Sequence, residues 1–180
     1  MKNILIIATD GFEQSELMKP KSILEDAGAK TTVASLEEGT IKGWDDGNWG
    51  ESVTVDMTVE NVNADDYDAL LLPGGQINPD VLRMNETVIE AIREFNRQSK
   101  PVAAICHAPW LLIEADIVTD KTVTSWPSLR TDLSNAGATV VDREVAVDGN
   151  IITSRNPSDI PAFTQALQDA MSMRTKLEAA

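Results

Sequence analysis

KPVAAICHAPWLL, residues 100–112, passes from one regular element to the next with almost nothing between them. Val102 to Ile105 is an unbroken apolar run of strand length, and Ala108 to Ala115 resumes with helical patterning. Cys106 and His107 therefore stand at a junction too short for a loop. Small residues, Ala104 and Ala108, lie two before and two after the cysteine. A sharp strand-to-helix turn needs small flanks because it crowds them together.

Upstream, Asn3 to Ala8 and Ala69 to Leu72 are further apolar runs of the kind found in strands covered on both faces. The first is turned by Thr9-Asp10-Gly11, the second halted by Pro73-Gly74-Gly75. Leu17, Ile23, Leu24 and Ala27 predict a helix ending at Gly28, and Val88, Ile92 and Phe95 predict another. Thr31 to Ala34 is a strand, whereas Glu37 to Glu51, with four glycines around Trp44 and Trp49, reads as turns in a surface excursion. Downstream come a strand at Thr122 to Thr124, a helix opened by Pro127, and a strand at Thr139 to Val141. A hairpin turned by Asp148-Gly149-Asn150 and a helix from Pro161 to Ala170 close the order. Alternating strands and helices with short joints predict an α/β three-layer sandwich, a mainly parallel sheet with helices on both faces. One domain is expected over residues 1–172, with 173–180 a polar tail that frays.

The composition narrows the partners. The chain has 180 residues, 42% of them hydrophobic, enough to bury roughly 70% of the unfolded surface in one core. Fifteen Lys and Arg against 29 Asp and Glu leave a net charge of −14, which repels phosphate backbones and anionic lipid, so neither nucleic acid nor membrane is an expected partner. MKNILIIATDGFE meets Asp10 and Glu13 too soon for an export signal. With a single Cys, no internal disulfide can form, and a cytoplasmic location is expected. One His and one Cys are too few soft ligands for zinc; no metal and no cofactor are expected.

Cys106 on such a turn sits at the amino end of the following helix, whose unpaired N–H groups favour an anion. That end is worth about 0.3 to 2 kcal/mol, or at most about 1.5 units from a free thiol near 8.5. Further help must come from His107, the only imidazole, or from Glu16. An ionised Glu16 repels a thiolate, so a helpful Glu16 is protonated and donates to the sulfur. Pro20, four residues on, deprives the Glu16 carbonyl of its helical partner and bends the helix there. The backbone N–H of Gly75, opposite that of His107, makes an oxyanion hole over the sulfur. Trp110 and Trp126 are expected to wall the pocket. Each residue alone has a plain structural reading, as buried apolar cysteine, solvated carboxylate or turn glycine. Their joint placement at strand carboxyl ends, where such sheets bind ligands, makes the case.

Taken together, GFEQSELMKP (11–20), DALLLPGG (68–75), KPVAAICHAPWLL (100–112), NAGATVVDREVAVDGNIITSR (135–155) and DIPAF (159–163) resemble the PfpI intracellular cysteine peptidases. These belong to the ThiJ/PfpI superfamily, which also holds protein deglycases, glyoxalases and stress chaperones. The resemblance covers nearly the whole chain. It implies a flavodoxin-like fold shared with class I glutamine amidotransferases, Cys106 as nucleophile, Glu16 as the carboxylate bonded to it, and Gly74-Gly75 at the pocket. It further implies that His107 is oriented by an acid of a neighbouring subunit. Asp80 stands at that position, where PfpI has the longer Glu, and Glu13 matches another carboxylate of the motif. A homodimer is implied, with hexamers formed by some members. Two departures are Ala108, where Gly is usual, and the Trp44–Gly50 loop, longer than in PfpI and expected to reshape the pocket mouth.

An amidotransferase needs a His far downstream of the Cys, and none exists. Three functions remain. Glyoxalase or deglycase chemistry on small aldehydes or glycated proteins needs only a thiolate and one carboxyl. Peptide cleavage also needs a firmly oriented imidazole to protonate the departing amine. Because that orientation would depend on the shorter Asp80 across an interface, the aldehyde reading ranks first and the peptidase second. A redox sensor or stress chaperone is the non-enzymatic alternative.

Overall fold

The computed structural model describes residues 1–178. In chain order its elements are β1 (Asn3–Ile7), β2 (Phe12–Glu13), α1 (Gln14–Asp26), β3 (Lys30–Ser35), β4 (Gly39–Asp45), β5 (Asn48–Val55) and β6 (Met57–Thr58). Then follow β7 (Ala69–Leu72), α2 (Ile77–Leu82), α3 (Glu86–Arg97), β8 (Val102–Ile105), α4 (Pro109–Glu114) and β9 (Thr122–Val123). The chain continues through α5 (Arg130–Asn135), β10 (Thr139–Val140), β11 (Ala146–Asp148), β12 (Ile151–Ser154) and α6 (Ile160–Glu178).

Seven strands form the main sheet in the order β11-β12-β8-β7-β1-β3-β6. All its pairings are parallel except that of the edge strand β11 with β12. Strand periodicity sends alternate side chains to opposite faces. Leu5, Ile7, Leu70, Leu72, Val102 and Ala104 thus join the core that contains Val88, Ile92 and Phe95 of α3 and Leu111 of α4. Ile4, Ile6, Ala69, Leu71, Ala103 and Ile105 join the one holding Leu17 and Leu24 of α1 and Phe163 and Leu167 of α6. The expected three-layer α/β sandwich follows directly. From β3 to β12 the strand order is the flavodoxin-like 2-1-3-4-5, whose direction of winding reverses between β1 and β7.

Three expectations need correction. The stretch from Glu37 to Glu51 is not a set of turns: β4 and β5 form an antiparallel hairpin, with a register shift between Lys42 and Trp44. Its tip, Asp46-Gly47, has φ of 45° and 81°, both positive as a type I′ turn requires. The Trp44 and Trp49 rings pack edge to face, 5.2 Å apart. β2 adds to this hairpin through Phe12↔Gly43 and Glu13↔Trp44. Second, β9 and β10 pair with each other in a separate two-stranded sheet. Third, residues 173–178 are not set apart from the last helix, because α6 continues to Glu178. Arg174 Nη1 donates to the Gln98 carbonyl at 2.9 Å, which holds this end of the helix down. Residues 179 and 180 lie outside the described residues. Among those described, no helix is long and apolar enough to cross a membrane.

Candidate active site

β8 ends in a turn that α4 begins at once. Cys106 takes φ of +64°, a left-handed conformation that costs a side-chain-bearing residue roughly 1 to 2 kcal/mol. The surrounding backbone compensates. Ala108 N–H closes the turn on the Ile105 carbonyl at 3.0 Å, Cys106 N–H donates to the Ser154 carbonyl at 3.0 Å, and the Cys106 carbonyl accepts from Trp126 N–H at 2.9 Å. Ala108 is fully buried and its methyl does not prevent the turn from closing.

Glu16 lies in the first turn of α1 and is completely buried, with Pro20 inside the same helix. Its Oε2 accepts the Gly74 N–H at 2.9 Å. Oε1 is buried without a hydrogen-bond partner, although the carboxyl and the Cys106 sulfur are close enough to shift each other's titration. Burial, and next the nearby Glu13 charge, push the Glu16 carboxyl up to about 8, against the opposing pull of the Gly74 amide and Cys106. A carboxyl so placed is protonated at neutral pH.

Gly74 is a glycine because nothing larger fits. A Cβ there would lie 2.5 Å from Glu16 Oε2 and 2.7 Å from both Cys106 Cβ and the Ile105 carbonyl oxygen. Gly75, at φ +82°, approaches the β1–β2 connection as closely, since a Cβ would stand 2.5 Å from the Gly11 oxygen. The amides of Gly75 and His107 both favour the ionised sulfur. Burial pushes the Cys106 thiol up, an ionised Glu16 pushes it further, and these two amides pull against both. The net direction is upward, so the expected lowering does not come from the site's general environment. With Glu16 protonated, its repulsion vanishes.

His107 Nδ1 lies 3.2 Å from the sulfur, and burial lowers the imidazole pKa, which keeps the ring neutral. Trp126 stacks on the ring at 5.8 Å and Trp110 meets it edge-on at 5.3 Å, so both of these tryptophans flank the imidazole. The expected residues Cys106, His107, Glu16, Gly74, Gly75, Trp110 and Trp126 thus converge. Glu13 is half-buried, accepts from the Ser15 hydroxyl at 3.0 Å and acts on Glu16 through its charge. Asp80 is exposed on α2, and within the chain His107 Nε2 has Ser128 Oγ beside it, at 3.5 Å.

Two further residues escaped the sequence reading. Asn78, fully buried, donates from Nδ2 to the carbonyls of Pro73 and Gly74 and accepts the Thr9 N–H on Oδ1. It ties the loop after β7 to the end of β1 and so holds the Gly74 and Gly75 amides in place. Ser128 is the other. Neither carried a signal in the sequence, since the first turn of α2 that holds Asn78 also holds the polar Asp80. Among the described residues, no group of three or more His, Cys, Asp or Glu side chains is placed to hold a metal ion.

Comparison with known proteins agrees with this fold. Residues 2–170 match the model of the DJ-1/PfpI family. Deglycase PfpI of Pyrococcus furiosus is 42% identical over 160 residues, covering 89% of this chain and 93% of the relative. General stress protein 18 of Bacillus subtilis is 43% identical over 166 residues, covering 91% and 94%. Among solved structures, a two-domain protein with DJ-1/ThiJ/PfpI-like and ferritin-like domains from Anabaena variabilis superposes with a TM-score of 0.91 at 34% identity. That match covers 96% of this chain and 48% of the other, so this chain spans about half of that protein. The chain belongs to the DJ-1/PfpI family, as a cysteine hydrolase of the PfpI type.

Proposed function

We propose that the protein is a glyoxalase or deglycase that uses the Cys106 sulfur on small reactive aldehydes or glycated groups, with Glu16 as its proton carrier. The observation that carries this reading is the fully buried Glu16, raised to about 8 against the sulfur. Such a carboxyl can give and take a proton at neutral pH. With methylglyoxal, the thiolate attacks the aldehyde carbon and the carbonyl electron pair moves to oxygen, facing the Gly75 and His107 amides. The Glu16 proton passes to that oxygen, giving a hemithioacetal. The carboxylate then removes the C1 hydrogen as a proton, the electron pair forms an enediolate, the C1 hydroxyl proton passes to the C2 oxygen, and the proton held by Glu16 returns at C2 as the C1 oxygen becomes a carbonyl. C1 is thereby oxidised and C2 reduced, leaving a thioester that water cleaves to lactate and free thiolate. No outside oxidant is required.

Peptide cleavage would lean on His107 as the acid for the departing amine. Its ring is neutral, and a carboxylate to orient it would have to be Asp80 of a second copy. A homodimer would supply one, and the peptidase therefore stands second. Purified protein given methylglyoxal is expected to form lactate, and Cys106→Ser to abolish it. Cleavage of peptides with no turnover of aldehydes would reverse the order.

A further inference from the structure

We infer that Glu13, Trp44 and Trp49 form a subsite for a cationic group at the far end of the substrate, on the reading that Cys106 reacts with aldehydes as proposed. β2 passes directly beside the site. Glu13 N–H donates to the Gly74 carbonyl at 3.2 Å, and a Cβ on Gly75 would stand 2.6 Å from the Glu13 nitrogen. From there a row of side chains leads outward. Glu13 is paired with Trp44 on β4, and Trp44 with Trp49 on β5. Residues directly paired across strands project from the same face, one strand spacing of about 4.8 Å apart. Phe12, the neighbour of Glu13, points to the other face, where it is fully buried. The row therefore lies on the face turned away from the core. Glu13 is half-buried at its inner end, and Trp49 is 51% exposed at its outer end.

The chemistry of this row suits a cation. An indole face carries negative charge density, and the rings of Trp44 and Trp49, 5.2 Å apart at 86°, present two such faces. Glu13 adds a carboxylate at the inner end. Between Gly39 and Val55 the hairpin carries Asp45, Asp46 and Glu51 against Lys42 alone, so an anion is repelled there. The hairpin is also fastened before any ligand arrives. Gly11 N–H donates to the Lys42 carbonyl at 2.8 Å, Lys42 N–H to Asp10 Oδ1 at 2.6 Å, and Glu51 N–H to Gln14 Oε1 at 2.6 Å. Little of the binding energy is therefore spent on ordering the loop. A ketoaldehyde held by the sulfur at one end meets the tryptophans with its other end. Methylglyoxal, which ends in a methyl group, leaves them unused.

An isosteric pair, 4-(trimethylammonio)phenylglyoxal and 4-tert-butylphenylglyoxal, differs by one positive charge, and the mandelate formed from each is the readout. kcat/KM is expected to favour the cation by about fivefold, the size of a cation–π contact at a partly exposed indole. Trp44→Leu and Trp49→Leu keep an apolar side chain and the net charge but remove the indole, and each should bring the ratio to about twofold or less. A ratio taken within one protein cancels any general loss of activity. Trp49 is exposed, so its variant is expected to fold, and unchanged thermal unfolding checks this. A wild-type ratio near one overturns the subsite, as does a ratio that either variant retains, since the net charge of −14 alone would then explain it. A Trp49→Leu protein that sediments differently while keeping the ratio would make this face a contact between copies, which also overturns it. Binding is read without turnover. The ketone (4-acetylphenyl)trimethylammonium, which lacks the aldehyde, should quench tryptophan fluorescence in Cys106→Ser and bind about threefold more weakly once Trp49→Leu is added. If that holds while the wild type turns over neither the arylglyoxals nor methylglyoxal, the functional reading fails and the subsite stands.

Discussion

Replacing Glu16 with Gln tests the buried carboxyl directly. Gln keeps the shape, its carbonyl can accept the Gly74 N–H in place of Oε2, and it does not titrate. The carboxyl rises from 4.5 to about 8 on folding, which at about 1.4 kcal/mol per unit is worth roughly 3 to 5 kcal/mol. The sign follows from proton uptake. Between these two values the folded state holds a proton that the unfolded state has released, so stability falls as pH rises. The contribution is fully present below about pH 4.5 and gone above about pH 8, where the folded carboxyl also ionises. Because the sulfur and the carboxyl titrate as a pair, the comparison is best made in a Cys106→Ser background, where position 106 is silent. Urea unfolding followed by fluorescence of the four tryptophans, from pH 5 to pH 9, gives each protein's stability. The Glu16→Gln/Cys106→Ser protein should gain on Cys106→Ser by about 3 to 5 kcal/mol across that range. Parallel curves, or a difference that shrinks with pH, would refute a carboxyl held neutral by burial.

Two other substitutions probe what holds the site together. Gly74→Ala drives a methyl to 2.5 Å from Glu16 Oε2 and 2.7 Å from the Ile105 oxygen; it is expected to cost about 1 to 3 kcal/mol of stability and to remove turnover, measured by urea unfolding and lactate formation. Asn78→Leu leaves the Thr9 N–H and the Pro73 carbonyl without their partner, at about 1 to 3 kcal/mol for each buried group, while the Gly74 carbonyl keeps the Glu13 N–H; kcat should drop with stability, and full activity in a folded Asn78→Leu protein would mean that the Gly74 and Gly75 amides do not need this clamp.

How much of this was legible follows the range of the interactions. Apolar runs such as Ile4–Ala8, Ala69–Leu72 and Val102–Ile105 announce strands because burial on both faces leaves no polar position to confuse the pattern. The turn at Cys106 was readable for the same reason, since two elements abut there. The β4–β5 hairpin was hidden by Gly39, Gly43, Gly47 and Gly50, which read as loop. Asp46-Gly47 was nonetheless a two-residue hairpin signal in plain view. Asn78 and Ser128 were out of reach because their partners, Thr9 and His107, lie 69 and 21 residues away in sequence. Only the folded sheet brings them together.

Burial and the neighbouring donors decide where the negative charge of the Cys106–Glu16 pair resides. The amides of Gly75 and His107 favour an anionic sulfur, and the ring nitrogen Nδ1 lies 3.2 Å from it. The carboxyl faces the Gly74 amide, and the Cys106 S–H when the sulfur carries the proton. With the proton on the sulfur, Glu16 is an ionised, fully buried group whose Oε1 has no partner, and Glu13 adds repulsion. Moving the proton to Oε1 removes that burial cost, gives the orphaned oxygen a hydrogen to donate, and leaves the anion where the Gly75 and His107 amides favour it. Burial alone opposes a thiolate here, yet burial opposes the carboxylate with less compensation. Among the states in which the pair shares one proton, the one with the proton on Glu16 is therefore favoured. This preference depends on the loop after β7 being held against β1 and β8, at the point where the sheet reverses its winding.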